Sequence, residues 1–116
     1  MLWATYGKIS PEGIKGIIAE PQNRAEPVGK LVEALGGKLI SYHLMLNAEI
    51  DFFIITEMPD DKIAEVSMID AMLVRGSGAI ESVTTVPTVL AEDAVPFMEK
   101  AQQMAAAMAY KAPSKS

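Results

Sequence analysis

Residues 47–61 read NAEIDFFIITEMPDD, in which a polar turn leads into an apolar strand and then into a helix start. The apolar residues 52–55 are consecutive, so this strand presents apolar side chains to both faces of a sheet. One face of an antiparallel sheet often meets water, but this strand offers water no polar face. The stretch therefore predicts a sheet that is covered on both faces.

Three acidic residues border this strand. Glu49 and Asp51 stand beside the preceding turn, and Glu57 stands at the strand's end. Carboxylates beside turns commonly accept hydrogen bonds from nearby backbone N–H groups. Acid–base catalysis would require two carboxyl groups that converge on one pocket, and nothing in the sequence indicates such a pair. We therefore interpret the three acids as structural.

The composition limits the class of protein. A chain of 116 residues is long enough for one domain with a modest core. With 50% hydrophobic and 22% charged residues, the chain is globular rather than disordered. A net charge of −5 and a pI of about 4.8 disfavour nucleic acids and anionic membranes as partners. The absence of cysteine excludes disulfides, thiolate metal sites and a thiol nucleophile.

The N-terminal segment predicts a cytoplasmic protein. Residues 1–6 lack the basic start and the long apolar stretch of a signal peptide. No run in the chain approaches the ~20 apolar residues that span a bilayer. We therefore expect a cytoplasmic protein that has no membrane and no nucleic acid as a partner.

Capping and turn residues mark the elements along the chain. Ser10 followed by Pro11 is a helix start, because proline suits the first helical position. Asn23 and Glu26 have the spacing of a capping box, so we expect the helical pattern to restart there. Asp60 is the expected cap of the next long helix. The predicted elements are a strand at 2–9, helices within 11–35, strands at 38–46 and 50–58, a helix at 60–75, a strand at 80–86 and a last helix at about 91–110.

This order, β-α-β-β-α-β with a terminal helix, is typical of the ferredoxin-like α+β fold. In that fold a four-stranded antiparallel sheet carries both main helices on one face. We assign residues 1–110 to a single domain and residues 111–116 to a polar C-terminal tail.

The alternation of side chains along a strand assigns residues to the two faces of the sheet. A hairpin loop with an even number of residues places His43 beside Phe52 and Ile54. Tyr42 then lies on the other face with Phe53. Both faces carry large apolar side chains, which soluble monomers rarely leave exposed. We expect a second copy of the chain, or the terminal helix, to cover the open face, and we favour a homodimer.

Five segments of the chain resemble the GYD-domain family of small bacterial proteins. The family is named for a glycine, a tyrosine and an aspartate. Ala48 and Ile50 replace the glycine and the tyrosine in this sequence, and Asp51 retains the aspartate. The resemblance covers about residues 2–100 and implies a ferredoxin-like fold related to dimeric α/β-barrel proteins. The turn and strand of this signature also resemble the effector-binding domains of some leucine-responsive regulators, which implies a ligand-sensing relative. The five segments are SPEGIK at 10–15, LGGK at 35–38, AEID at 48–51, PDD at 59–61 and TTVP at 84–87.

His43 is the only histidine in the sequence, and histidine is the side-chain type most suited to acid–base chemistry near neutral pH. Folds of the related barrel type place a polar group in a cavity between sheet and helices. The expected lining of such a cavity is Trp3, Ser41, His43, Phe52 and Thr56. His43 is either an acid or base there or a partly buried side chain held by one hydrogen bond, and we favour the second. One histidine and no cysteine predict no transition-metal site.

Three functions stay open from the sequence. The first is a homo-oligomer that binds a small hydrophobic molecule or acts as an accessory protein through its sheet face, without a cofactor. The second is a cofactor-independent dimeric α/β-barrel enzyme, monooxygenase- or isomerase-like, that uses His43. The third is an assembly module that uses the last helix, whose alanine and methionine side chains suit adaptable contacts.

Overall fold

A four-stranded antiparallel sheet forms the centre of this computed structural model, which describes residues 1–108. The predicted tail at 111–116 and the last two residues of the predicted terminal helix lie outside the described residues. The elements are, in chain order, β1 (Leu2–Ile9), α1 (Pro11–Ala19), α2 (Ala25–Ala34), β2 (Lys38–Leu44), β3 (Phe52–Glu57), α3 (Ile63–Gly76), β4 (Ile80–Thr88) and α4 (Ala91–Ala107), with a 3₁₀ turn at Asp60–Lys62.

The strands lie in the order β2-β3-β1-β4, and each is antiparallel to its neighbours. This arrangement confirms the predicted ferredoxin-like α+β fold. The cap at Ser10 lies where the sequence indicates, whereas the predicted capping box of Asn23 and Glu26 does not form, because Arg24 is the N-cap of α2. Ser10 Oγ accepts a hydrogen bond from the Gly13 N–H at 3.0 Å, and Asn23 Oδ1 accepts one from the Ala25 N–H at 3.0 Å.

Two predicted boundaries are wrong for identifiable reasons. Asp60 is not a helix cap, because it lies in the 3₁₀ turn and its carboxylate pairs with the N-terminal ammonium of Met1 at 3.0 Å. Pro87 does not end β4, which continues to Thr88. β4 is an edge strand, and an edge position tolerates a residue that cannot donate a backbone hydrogen bond.

The hairpin between β2 and β3 overturns the predicted faces of β2. Its loop spans the seven residues 45–51, because pairing ends at the last residue of β2 and the first of β3. An odd loop moves the adjacent part of the strand, residues 41–44, to the face opposite the one predicted. A β-bulge between Leu39 and Ser41 leaves Leu39 on its predicted face, where it pairs with Thr56. Tyr42 pairs with Ile54, whereas His43 pairs with Phe53. The prediction that His43 shares a face with Ile54 is therefore wrong.

The core lies between the sheet and the first three helices, and it has two parts. One part joins the start of β1 to α2 and α3, and the other joins the end of β1 to β3. No side chain within residues 1–108 is less than 2% exposed. The buried members are Trp3, Val32, Met58 and Val66 in the first part, and Ile9, Phe52 and Ile54 in the second.

The opposite side of the sheet carries an apolar surface that we call the open sheet face. The pairing of β1 with β3 and β4 brings its members side by side on the side away from the core. Val86 at its margin is 37% exposed, and the larger members at the centre are half-buried by their neighbours. The open sheet face comprises Ala4, Tyr6, Phe53, Ile55 and Val86.

α4 projects from the domain instead of packing against the sheet. All of its side chains except Ala94 are exposed, including Phe97 and Met98 at 62% each. A helix of 17 residues is about 25 Å long, and the described chain extends 59 Å along its longest axis. α4 therefore does not cover the open sheet face of its own chain. The prediction that a second copy of the chain covers this face remains.

Candidate ligand cavity

A cavity of about 590 Å³ lies between the sheet and the first three helices. Sites for small molecules usually measure roughly 300–1,000 Å³ and have mostly apolar walls. The cavity has this composition, because side chains from the core side of the sheet meet the inner sides of α1, α2 and α3. Its apolar wall includes Ile9, Ile17, Leu31, Phe52, Val66 and Val83.

The structure separates the five predicted pocket residues into two groups. Trp3, Phe52 and Thr56 line the cavity. Ser41 and His43 lie on the other side of the sheet, because both pair with residues of the open sheet face. His43 is also exposed there. The role of His43 as an acid or base stays a prediction, and it would operate outside the cavity.

Hydroxyl groups supply most of the neutral polar atoms of the cavity wall. Thr5 Oγ1 and Thr85 Oγ1 lie 3.0 Å apart and share a hydrogen bond, and Thr56 is buried nearby in the same wall. Burial raises the pKa of the Tyr42 phenol, and Arg24 partly opposes this rise. Tyr42 therefore keeps its proton at neutral pH and acts as a neutral hydrogen-bonding group.

A carboxyl group enters the cavity wall from α3. Asp70 lies four residues after Val66 and four before Val74, and all three line the cavity. Burial raises the pKa of the Asp70 carboxyl above its usual range. Sequence reasoning missed Asp70, although its helical spacing from two valines indicates that it shares their face.

The indole of Trp3 is an unsatisfied group in the same wall. Trp3 is 4% exposed, and its Nε1 has no hydrogen-bond partner within residues 1–108. A buried donor without a partner costs about 1–3 kcal/mol. Such groups are rare in folded proteins, and Trp3 Nε1 is one that the described residues leave without an acceptor.

Asp51 binds a distant strand rather than the local turn N–H groups that the sequence indicates. Its Oδ2 accepts a hydrogen bond from the Ile9 N–H at 2.9 Å, and its Oδ1 lies 3.5 Å from Lys8 Nζ. Its own N–H donates to the Gly7 carbonyl at 2.7 Å. The carboxylate thus holds the hairpin loop against the end of β1 through a hydrogen bond to Ile9 and an ion pair with Lys8.

Asp51→Ala is expected to lower the free energy of unfolding by about 2–3 kcal/mol, because the Ile9 N–H loses its acceptor in a buried position. Asp51→Asn is expected to cost less, since an amide oxygen accepts the same bond. Urea denaturation measures both, and Glu49→Ala in the exposed part of the same loop is the matched control. Equal midpoints for Asp51→Ala and Glu49→Ala would contradict the structural role of this carboxylate.

Residues 1–108 contain no group of three or more histidine, aspartate or glutamate side chains placed to hold a metal ion. Over the same residues, every helix is too short or too polar to cross a bilayer.

The fold and the cavity define a ferredoxin-like α+β domain with helices over one face of its sheet and a cavity between the two layers. The family model of the GYD domain matches residues 4–98, so the chain belongs to the GYD domain family. The resemblance noted in the sequence is thereby confirmed. The second half of α4 lies beyond the matched segment. No curated protein and no solved structure shows significant similarity to the chain.

Proposed function

We propose that this protein is a cytoplasmic homodimer that binds a small, mainly apolar molecule between its sheet and its helices. The cavity of about 590 Å³ is the observation that supports this function. The cavity opens to solvent and has mostly apolar walls, and its volume lies within the roughly 300–1,000 Å³ of small-molecule sites. These features support a binding site for a small, mainly apolar molecule.

The exposed members of the cavity lining support an entrance beside α1. Glu12 and Glu20 lie on α1 and at its end, and Arg24 precedes α2; all three line the cavity and are exposed. The buried members of the lining, by contrast, are mostly apolar, among them Trp3 and Phe52. A molecule with a polar group and an apolar body fits this gradient, because its apolar part loses contact with water as it enters.

The open sheet face supports the homodimer. A twofold interface uses the same surface of both copies, so a second chain would cover Tyr6, Phe53 and Ile55 in each partner at once. Burial of apolar area contributes about 25 cal/mol per Å². The exposed side chains of α4, among them Phe97 and Met98, add apolar surface that the same partner can contact.

Gly16→Phe is expected to block the cavity and to weaken the binding of a neutral apolar dye, Nile red, by roughly tenfold or more. Gly16 lines the cavity, and a Cβ added there meets no heavy atom within 4 Å, so the fold has room for the new side chain. A fluorescence titration measures the dissociation constant of the dye.

Gly76→Phe is the matched control for this experiment. A Cβ added at Gly76 also meets nothing within 4 Å, but Gly76 lies at the end of α3 and outside the cavity lining. The control is expected to bind the dye as the unmodified chain does. Equal loss in both variants, or no loss in Gly16→Phe, would contradict the cavity as the binding site.

A further inference from the structure

Asp70 differs from the other charged residues of the cavity lining in its burial. Glu12, Glu20 and Arg24 are exposed, whereas Asp70 is half-buried on the inner side of α3. A carboxylate that leaves water loses free energy unless another group replaces the lost hydrogen bonds. Within residues 1–108, no side-chain hydrogen bond or ion pair involves Asp70. The fold thus leaves a carboxyl group without a partner in an apolar wall.

The charges around the cavity favour a cation. The lining contains three carboxylates, those of Glu12, Glu20 and Asp70, and one guanidinium, that of Arg24. Because Glu12 pairs with Lys15 at 3.6 Å, the negative excess rests on Glu20 and Asp70. Tyr42 on β2 is the other titratable member of the lining, and β1, β3 and β4 contribute only apolar and neutral polar side chains. A cleft with low-dielectric walls and an excess of one sign concentrates ions of the opposite sign.

From this placement, and on the basis of the function proposed above, we infer that the cavity selects cationic amphiphiles and that Asp70 binds their ammonium group. A ligand of this class has an apolar body and a protonated amine. The amine donates a charge-assisted hydrogen bond to the Asp70 carboxylate, and the body fills the apolar part of the cavity. An alcohol of the same length makes a weaker bond to Asp70. A fatty carboxylate is repelled by the like charges.

Three probes with the same ten-carbon chain test this selectivity: decylamine, decanol and decanoate, each below its critical micelle concentration. Isothermal titration calorimetry on the full chain is expected to give the tightest binding for decylamine and the weakest for decanoate. The dissociation constants of these two probes are expected to differ by roughly tenfold or more, which is the effect of one partly screened charge-assisted hydrogen bond.

Asp70→Asn separates the role of the charge from that of the cavity. The substitution keeps the size of the side chain and is expected to reduce decylamine affinity roughly tenfold while leaving decanol affinity unchanged. Glu65→Gln is the matched control, because Glu65 is an exposed acid on the same helix, α3, and lies outside the cavity lining. It is expected to change decylamine affinity by no more than about twofold.

The pH dependence supplies a second readout. Burial raises the pKa of Asp70, so its carboxylate is present above that pKa and is lost as the pH falls through it. The preference for decylamine over decanol is therefore expected to disappear at a higher pH than the ordinary range of aspartate. Asp70→Asn, which has no carboxyl group at this position, is expected to show no such step.

The outcomes distinguish the two proposals. If Asp70→Asn binds decylamine as tightly as the unmodified chain, the inference about Asp70 is overturned, and decanol binding still supports the cavity. If none of the three probes binds, the proposed function itself is overturned. Loss of all three probes in Gly16→Phe would support the cavity as the place where they bind.

Discussion

Gly7→Ala is expected to destabilise the fold by about 3 kcal/mol or more, the upper range for overpacking in a core. Gly7 lies in β1, which is paired on both sides, and a Cβ added there would overlap the backbone carbonyl of Ser82 in β4. A backbone group cannot turn aside as a flexible side chain can. The added methyl group must therefore separate β1 from β4 locally and break hydrogen bonds of the sheet.

Urea denaturation followed by far-ultraviolet circular dichroism measures this loss. Gly16→Ala is the matched control, because its new Cβ meets no heavy atom within 4 Å. Alanine also favours a helix over glycine by about 0.5–1 kcal/mol, so the control is expected to unfold at the same or a higher urea concentration. A Gly7→Ala protein as stable as the control would contradict the close approach of β4 to β1.

Phe53→Asp is expected to convert the proposed homodimer into folded monomers. Phe53 lies at the centre of the open sheet face, and a twofold contact buries it once in each chain. The loss of about 1.5–3 kcal/mol for each buried phenylalanine raises the dimer dissociation constant by roughly a hundredfold or more. Two aspartates brought together at the same interface add electrostatic repulsion. Sedimentation equilibrium measures the dissociation constant.

The control for this variant is Ile18→Asp, which makes a comparable change from an apolar to an acidic side chain elsewhere on the surface. Ile18 lies on α1, is 74% exposed and belongs neither to the open sheet face nor to the cavity lining. It is expected to leave the dimer intact. Dimers of equal affinity in both variants would show that the sheet face is not the interface.

Local signals predict the kinds and the order of the elements in this chain. The cap at Ser10 and the left-handed Gly36, with a φ of +86°, depend on a few adjacent residues, so the sequence displays them directly. The faces of β2 depend on the number of residues in the following loop. Asp51, the last residue of that loop, is hydrogen-bonded to Gly7 and Ile9 of a distant strand. The local sequence of the hairpin does not indicate this contact with β1, so the faces of β2 could not be predicted from it.

The candidate site shows the same division between local and distant information. Trp3, Phe52 and Thr56 lie on strands whose alternation is undisturbed, and all three line the cavity. His43 follows a β-bulge and precedes the odd loop, so its face could not be derived from alternation. Asp70 was missed because an acid on a helix is expected to face water, whereas α3 turns this one inward.

The native mass spectrum of the full chain, purified from its own host, tests the proposed function most directly, since it reports oligomer size and bound molecule together. We expect a mass of two 12.5 kDa chains plus a small molecule, and we expect the Gly16→Phe protein to form the same dimer without that added mass. A single 12.5 kDa chain with no added mass, at concentrations where the protein remains folded, would contradict both the dimer and the occupied cavity.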